Sequence, residues 1–228
     1  MELKAKTLLV AVAAKNRGDY NKTINSIKNK IKPTSEEITE FAPLADEAVT
    51  IIDGDYPETW KNSFMPPVVL FYRGGEKSLL SKIDRSAIFV VDDDKGSQVK
   101  KIINDILEHG GLIVKPDLDS GHLLIMDKEQ ALILSEYPCG DYDMESKEQR
   151  TRVAQIGAGL CGKLFIGATR ENSIVTTSVI TILNSGGDVY AIPMHLGTTY
   201  KNNEFIREGA NIVLEWSDVM DETKKEEE

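Results

Sequence analysis

Cysteine is nearly absent from this chain: Cys139 and Cys161 are the only two in 228 residues, and they make no CxxC pair. This excludes a disulfide framework and a cysteine-based zinc site, and leaves two small thiols of the kind that pack into interiors. Long apolar runs are missing as well, since none approaches the roughly 20 residues that span a bilayer. Near the start, acidic Glu2 and the lack of a small-residue cleavage pattern argue against a secretion signal. The expectation is a soluble cytoplasmic protein with no membrane partner. Positive charge is also scarce, with 27 basic against 37 acidic residues for a formal net charge of -10. Nucleic-acid binders ordinarily carry a basic stripe that displaces phosphate counterions, so long-range attraction of DNA is opposed here. The closing DETKKEEE is a solvated acidic tail. It does not account for the whole imbalance, because ten acidic residues still face seven basic ones between Ser135 and Glu215. Catalytic signatures are missing too: there is no HExxH, no Walker loop and no nucleophile elbow.

What is present is an alternation of helices and strands. The hydrophobic content of 41% and the length suit one sizeable α/β domain with a small appendage. Residues 1–48 read as a small helical domain: an apolar run from Lys6 to Lys15, Ile24, Ile27 and Ile31 at helical spacing, and Thr34 with Glu37 as a capping box. Residues 49–220 read as the main domain, and 221–228 as the tail. Val49 to Ile52 is a short strand stopped by the turn Asp53-Gly54-Asp55. Further strands are expected at Ala87–Val91, Leu112–Val114, Leu132–Ser135, Leu164–Ala168 and Val189–Ile192. Helices are expected at Ser97–His109, Arg150–Leu160 and Ser173–Asn184, with Gly110-Gly111 and Gly186-Gly187 as stops. Strand, helix and strand with short joins imply right-handed parallel crossovers. The fold class is therefore α/β, a doubly wound and mainly parallel Rossmann-like sheet with a small N-terminal helical cap. In such sheets ligands bind outside the carboxyl ends of the strands.

Several segments resemble one family. Tyr56-Pro57-Glu58-Thr59-Trp60 leads through Pro66-Pro67 into Val68–Tyr72 and Arg73-Gly74, and Ser135-Glu136-Tyr137-Pro138, Gly197-Thr198 and the run IREGA recur in the second half. Together these resemble the DNA-processing protein A (DprA, or Smf) family, part of a Rossmann-like superfamily that also holds the LOG phosphoribohydrolases. The chain looks like a diverged, shortened member. The Pro-Gly-Gly-x-Gly-Thr signature of the LOG enzymes is missing, so the resemblance does not carry phosphoribohydrolase activity.

The resemblance also implies where a phosphate would be held, and the chain departs from the pattern there. After the first sheet strand the family has a Gly-Ser/Thr-Arg turn; here stand Asp92-Asp93-Asp94-Lys95-Gly96-Ser97. Three carboxylates would repel a phosphate, while Ser97 suits a helix N-cap. Asp92 is open to three readings: a ribose acceptor, a solvated turn residue, or part of a magnesium site. After the second strand only a loose counterpart remains, Lys115 to His122, giving Ser120 and Gly121 as candidates; His122 reads as polar loop surface. The family's basic segment aligns with Arg150–Leu160, where Arg152 survives and Gln155 replaces an arginine. Arg152 reads either as an anion-pairing fork or as an exposed helix residue. Arg170, Asn172, Ser173 and Thr176 stand at the start of the next helix, where hydroxyls and free amides suit an anion or a ribose, or simple capping.

The functional expectation is a non-catalytic protein without a cofactor or metal that holds a nucleotide-derived small molecule. One form of this is a phage-type sponge for a nucleotide immune signal, of the ADP-ribose or cyclic-nucleotide type. The alternative is a true DprA that binds single-stranded DNA and loads RecA. In either case the resemblance implies a homodimer; a third possibility is an inactive scaffold that acts through such contacts alone.

Overall fold

In the computed structural model, residues 2–75, 77–138, 147–170 and 173–220 are described. Three helices open the chain: α1 (Glu2–Lys15), α2 (Tyr20–Lys28) and α3 (Ser35–Phe41), followed by a 3₁₀ segment at Ala42–Glu47. The capping box is formed, with the Glu37 amide donating to the Thr34 hydroxyl and the Thr34 amide donating to the Glu37 carboxylate. Then come β1 (Ala48–Thr50), α4 (Glu58–Lys61), β2 (Val69–Arg73), α5 (Ser78–Ser81), β3 (Ile88–Val91), α6 (Ser97–Glu108) and β4 (Ile113–Asp117). The second half holds β5 (His122–Met126), β6 (Ala131–Ser135), α7 (Lys147–Leu160), β7 (Lys163–Ile166), α8 (Val175–Asn184), β8 (Asp188–Ala191), α9 (Asn202–Arg207), β9 (Asn211–Ile212) and α10 (Ser217–Met220).

All strands form one sheet in the order β1-β2-β6-β5-β4-β3-β7-β8-β9. The block β4-β3-β7-β8-β9 is parallel, and the other four pairings are antiparallel. The sheet is therefore mixed, which corrects the expectation of a mainly parallel one. The reason lies between Leu118 and Gln130. A parallel return needs a crossover of a dozen or more residues, but Leu118–Gly121 is a tight turn with Gly121 at φ 71°. Asp127 closes a second turn by accepting from the amides of Glu129 and Gln130. Two hairpins result. Lys115, Pro116 and Asp117, expected in a loop, belong to β4, and His122, expected on the loop surface, is buried in β5 opposite Asp117.

Side chains alternate across the parallel block, as a pleated sheet requires. Ile88 and Val90 pack with α6 and α10, whereas Phe89 and Val91 lie in the larger core with α7 and α8. Helices on both faces make this half doubly wound. A Cβ on Gly157 would come within 2.3 Å of the Phe89 ring, so α7 lies against β3 only because that residue is glycine. Gly157, Gly159 and Gly162 do have G-x-G-x-x-G spacing, but they lead from a helix into a strand. A dinucleotide fingerprint runs the other way. The helical cap is not detached: Val10 and Ala13 of α1 share a core with Ala48, Val68, Val69 and Phe71. Among the described residues no helix is long and apolar enough to cross a membrane.

Candidate functional site

In a doubly wound sheet the crevice opens where successive crossovers leave in opposite directions. Here that point lies between β3, which continues to β4 on one side, and β7, which continues to β8 on the other. The loops that follow these strands are tied together by carboxylates. Asp92 accepts from the Ala168 amide at 3.1 Å. Asp93 accepts from the Arg170 amide at 2.8 Å and from the Ser173 hydroxyl at 3.2 Å. Asp94 pairs with the Arg170 guanidinium at 2.5 Å and accepts from the Tyr200 hydroxyl. Asn202, fully buried, braces the same loops: its amide donates to the carbonyls of Gly167 and Ile192 and its oxygen accepts from the Thr169 amide.

The acidic run thus binds the protein's own donors across the place where a phosphate would sit. Ser97 is the first residue of α6, not its cap; the cap is Gly96, with no side-chain bond, and Lys95 before it holds a left-handed φ of 52°. Burial holds the Lys115 ammonium on neighbouring β4 below its ordinary pKa, against the opposing pull of Asp92. Ser120 and Gly121 form the hairpin turn at this edge, where the Ser135 hydroxyl donates to the Gly121 carbonyl. Thr176 is exposed on α8. Asn172 lies outside the described residues. No group of three or more metal-binding side chains is found among the described residues.

A large open groove lies elsewhere. A groove of about 1000 Å³ runs between the α1–α2 turn and the start of α7, beside the carboxyl end of β6. Its walls include Lys15, Arg17, Lys22, Lys147 and Arg152, against the acidic Asp19, Glu136 and Glu148. Tyr20, Tyr137 and Gln155 also line it. Arg152 closes its fork on Glu136, with Nε and Nη2 donating at 2.8 and 2.7 Å, and Nη1 donates to the Met65 carbonyl. Its guanidinium stacks over the Tyr20 ring at 4.1 Å. These side chains are only 12% and 7% exposed for Arg152 and Glu136. The arginine therefore fastens cap to core, and its anion partner is internal. Gly18 makes that docking close, since a Cβ there would meet the Glu136 carbonyl oxygen at 2.3 Å. Desolvation raises the Tyr20 phenol above its ordinary pKa, with Arg152 pulling the other way.

No family model matches the chain, and comparison with curated proteins gives no match. Solved structures do match. The X-ray structure of DprA from Streptococcus pneumoniae aligns over 89% of this chain and 85% of its own, with a TM-score of 0.59 at 21% identity. A DprA from Helicobacter pylori, from a study of its single-stranded DNA binding mode, aligns over 76% of this chain and 94% of its own, with a TM-score of 0.60 at 15% identity. This chain has the DprA fold.

Within the DprA fold, the residues expected to form one site divide into two groups. Asp92, Lys95, Ser97, Arg170 and Ser173 lie at the bridged β3–β7 crevice, and Arg152 and Gln155 at the groove, while Ser120 and Gly121 stay in the β4–β5 turn and Thr176 on α8. Sequence reading missed the cap's contribution, because Arg17 and Tyr20 precede Arg152 by more than a hundred residues. The visible signal was the turn Asn16-Arg17-Gly18-Asp19, a helix stop and restart with a cation at its tip.

Proposed function

We propose that this chain is a non-catalytic DNA-processing protein of the DprA kind that binds single-stranded DNA along the groove between the helical cap and α7. The observation that carries this reading is local charge: in a chain of formal charge -10, basic residues outnumber acidic ones five to three among the described residues that line the groove. Tyrosines among them give bases a surface to stack on, the combination that holds a single strand without a sequence code. The Helicobacter pylori neighbour, described by its binding of single-stranded DNA, supports the same choice. RecA loading and homodimerisation are further parts of this proposal. Exposed Ile180, Leu183 and Ile212, on α8 and edge strand β9, are consistent with self-association. Fluorescence anisotropy with a labelled oligonucleotide tests the binding. Affinity should be measurable at low salt and fall as salt rises, because few phosphates are neutralised and each released counterion adds to the slope; no binding at low salt overturns the reading.

A second reading keeps the groove and changes its occupant to a nucleotide-derived small molecule, in line with a sequestering role. The groove volume favours it, standing at the upper end of the roughly 300–1,000 Å³ usual for ligand pockets. Thermal shift with ADP-ribose and cyclic nucleotides separates the two: a saturable rise in Tm with no oligonucleotide binding selects the small molecule.

A further inference from the structure

The groove's cations are not equivalent. Lys15 pairs with Glu37 at 2.9 Å, Lys22 with Asp19 at 3.5 Å, and Arg152 with Glu136. Arg17 and Lys147 have no side-chain hydrogen bond or ion pair among the described residues. They come from opposite walls, Arg17 from the turn between α1 and α2 and Lys147 from the first turn of α7. The chain fixes Arg17 there at some conformational cost: its φ is 52°, left-handed for a residue with a Cβ, and the Gly18 that follows is pressed against the Glu136 backbone. Gln155, two turns into α7 and half-buried in the same groove, has no partner for its amide among the described residues, leaving a donor and an acceptor side by side.

We propose that Arg17 and Lys147 form a two-walled phosphate clamp for a nucleotide chain, with Gln155 hydrogen-bonding the edge of one base between them. The inference deepens the single-strand reading, on which it rests, and assigns half of the site to the helical cap. Two cations on facing walls suit neighbouring phosphates of a strand, since each can neutralise one without competing for the other. A side-chain amide offers the donor and acceptor pair that matches a base edge, best of all adenine. Arg152 takes no direct part: by holding Glu136 and Tyr20 it keeps the two walls at their separation.

The test uses the full chain and a fluorescent 12-nucleotide strand, measured by anisotropy. Arg17→Glu and Lys147→Glu should each weaken binding by about tenfold, and Arg17→Lys should retain most of it. Lys101→Glu, an equal charge change at an exposed position of α6, should alter affinity less than about twofold. Gln155→Leu should narrow the preference for adenine-rich over thymine-rich strands. Equal losses for Lys101→Glu and the two clamp variants would overturn the clamp while leaving single-strand binding intact. Failure of the unmodified protein to bind any strand would instead sink the reading on which the clamp rests. ADP supplies the same phosphate and base from a free molecule. Its displacing the strand at equal concentration would overturn assignment of the clamp to a polymer, whereas displacement only at large excess supports it.

Discussion

The crevice between β3 and β7 and the groove between the cap and α7 lie along the same edge of the sheet, yet they treat charge in opposite ways. At the crevice three consecutive aspartates meet internal donors, Arg170, Ser173, Tyr200 and the amides of Ala168 and Arg170. At the groove the carboxylates are fewer than the cations among the described residues, and two of those cations, Arg17 and Lys147, are exposed with no partner among them. A fold's usual binding point is only a place where strand topology leaves loops facing each other. Whether it is open depends on whether those loops satisfy one another, and here they do.

The largest effect should come from the latch that joins the two walls of the groove. Arg152→Ala leaves Glu136 charged in a position 7% exposed and should lower unfolding free energy by about 3 kcal/mol in urea titration. Replacing both partners, Arg152→Met with Glu136→Leu, should recover much of it, because no charge is then left unpaired. If the double variant is no better than the single, the latch is not an ion pair in the energetic sense. Next comes Asn202→Ala, which strips three buried bonds from the β7 and β8 loops and should cost about 2–3 kcal/mol. Asp93→Ala removes two bonds at a more exposed place and should cost about 1 kcal/mol. Asp94→Ala, paired with the largely exposed Arg170, should cost less than about 1 kcal/mol. Neither aspartate variant should change oligonucleotide affinity by more than about threefold if the groove is the binding surface.

Much of the fold was legible because its signals are local. The capping box at Thr34 and Glu37, the apolar spacing of Val99, Ile102, Ile103 and Ile106, and the β-branched run before Asp92 each set one element with little help from elsewhere. The antiparallel centre was not legible in the same way. Leu132 to Ser135 reads as a strand without direction and Leu123 to Met126 does not read as one, and only the shortness of the turns at Gly121 and Asp127 forces hairpins. The candidate site divided for a related reason. Asp92, Asp93 and Asp94 advertise charge in sequence, but their internal donors lie 76 to 106 residues further on, at Arg170, Ser173 and Tyr200. Arg152 likewise reads as a free fork until Glu136 and Tyr20 are seen to enclose it.

The smallest effect sharpens the contrast from the side of pH. The Lys15 ammonium and the Thr34 amide hold the Glu37 carboxyl below its ordinary pKa, and Lys82 with two turn amides does the same for Asp127. A folded-state pKa lower than the unfolded one means that the unfolded chain takes up protons first as pH falls. The stabilisation is therefore complete above the ordinary carboxylate range, about pH 4, and is lost as pH drops through the depressed folded values. Urea midpoints should decline over that window. Lys15→Met and Lys82→Met should each flatten the decline slightly, and an unchanged slope in both would show that other carboxylates carry it.

Hydrogen exchange with and without a single-stranded oligonucleotide tests the central claim most directly. Slowed exchange at residues 15–22 and in the first turns of α7, with residues 92–97 and 167–170 unchanged, is the predicted result. Protection at the β3 and β7 loops instead, with the cap and α7 unaffected, would contradict it and return the binding site to the crevice.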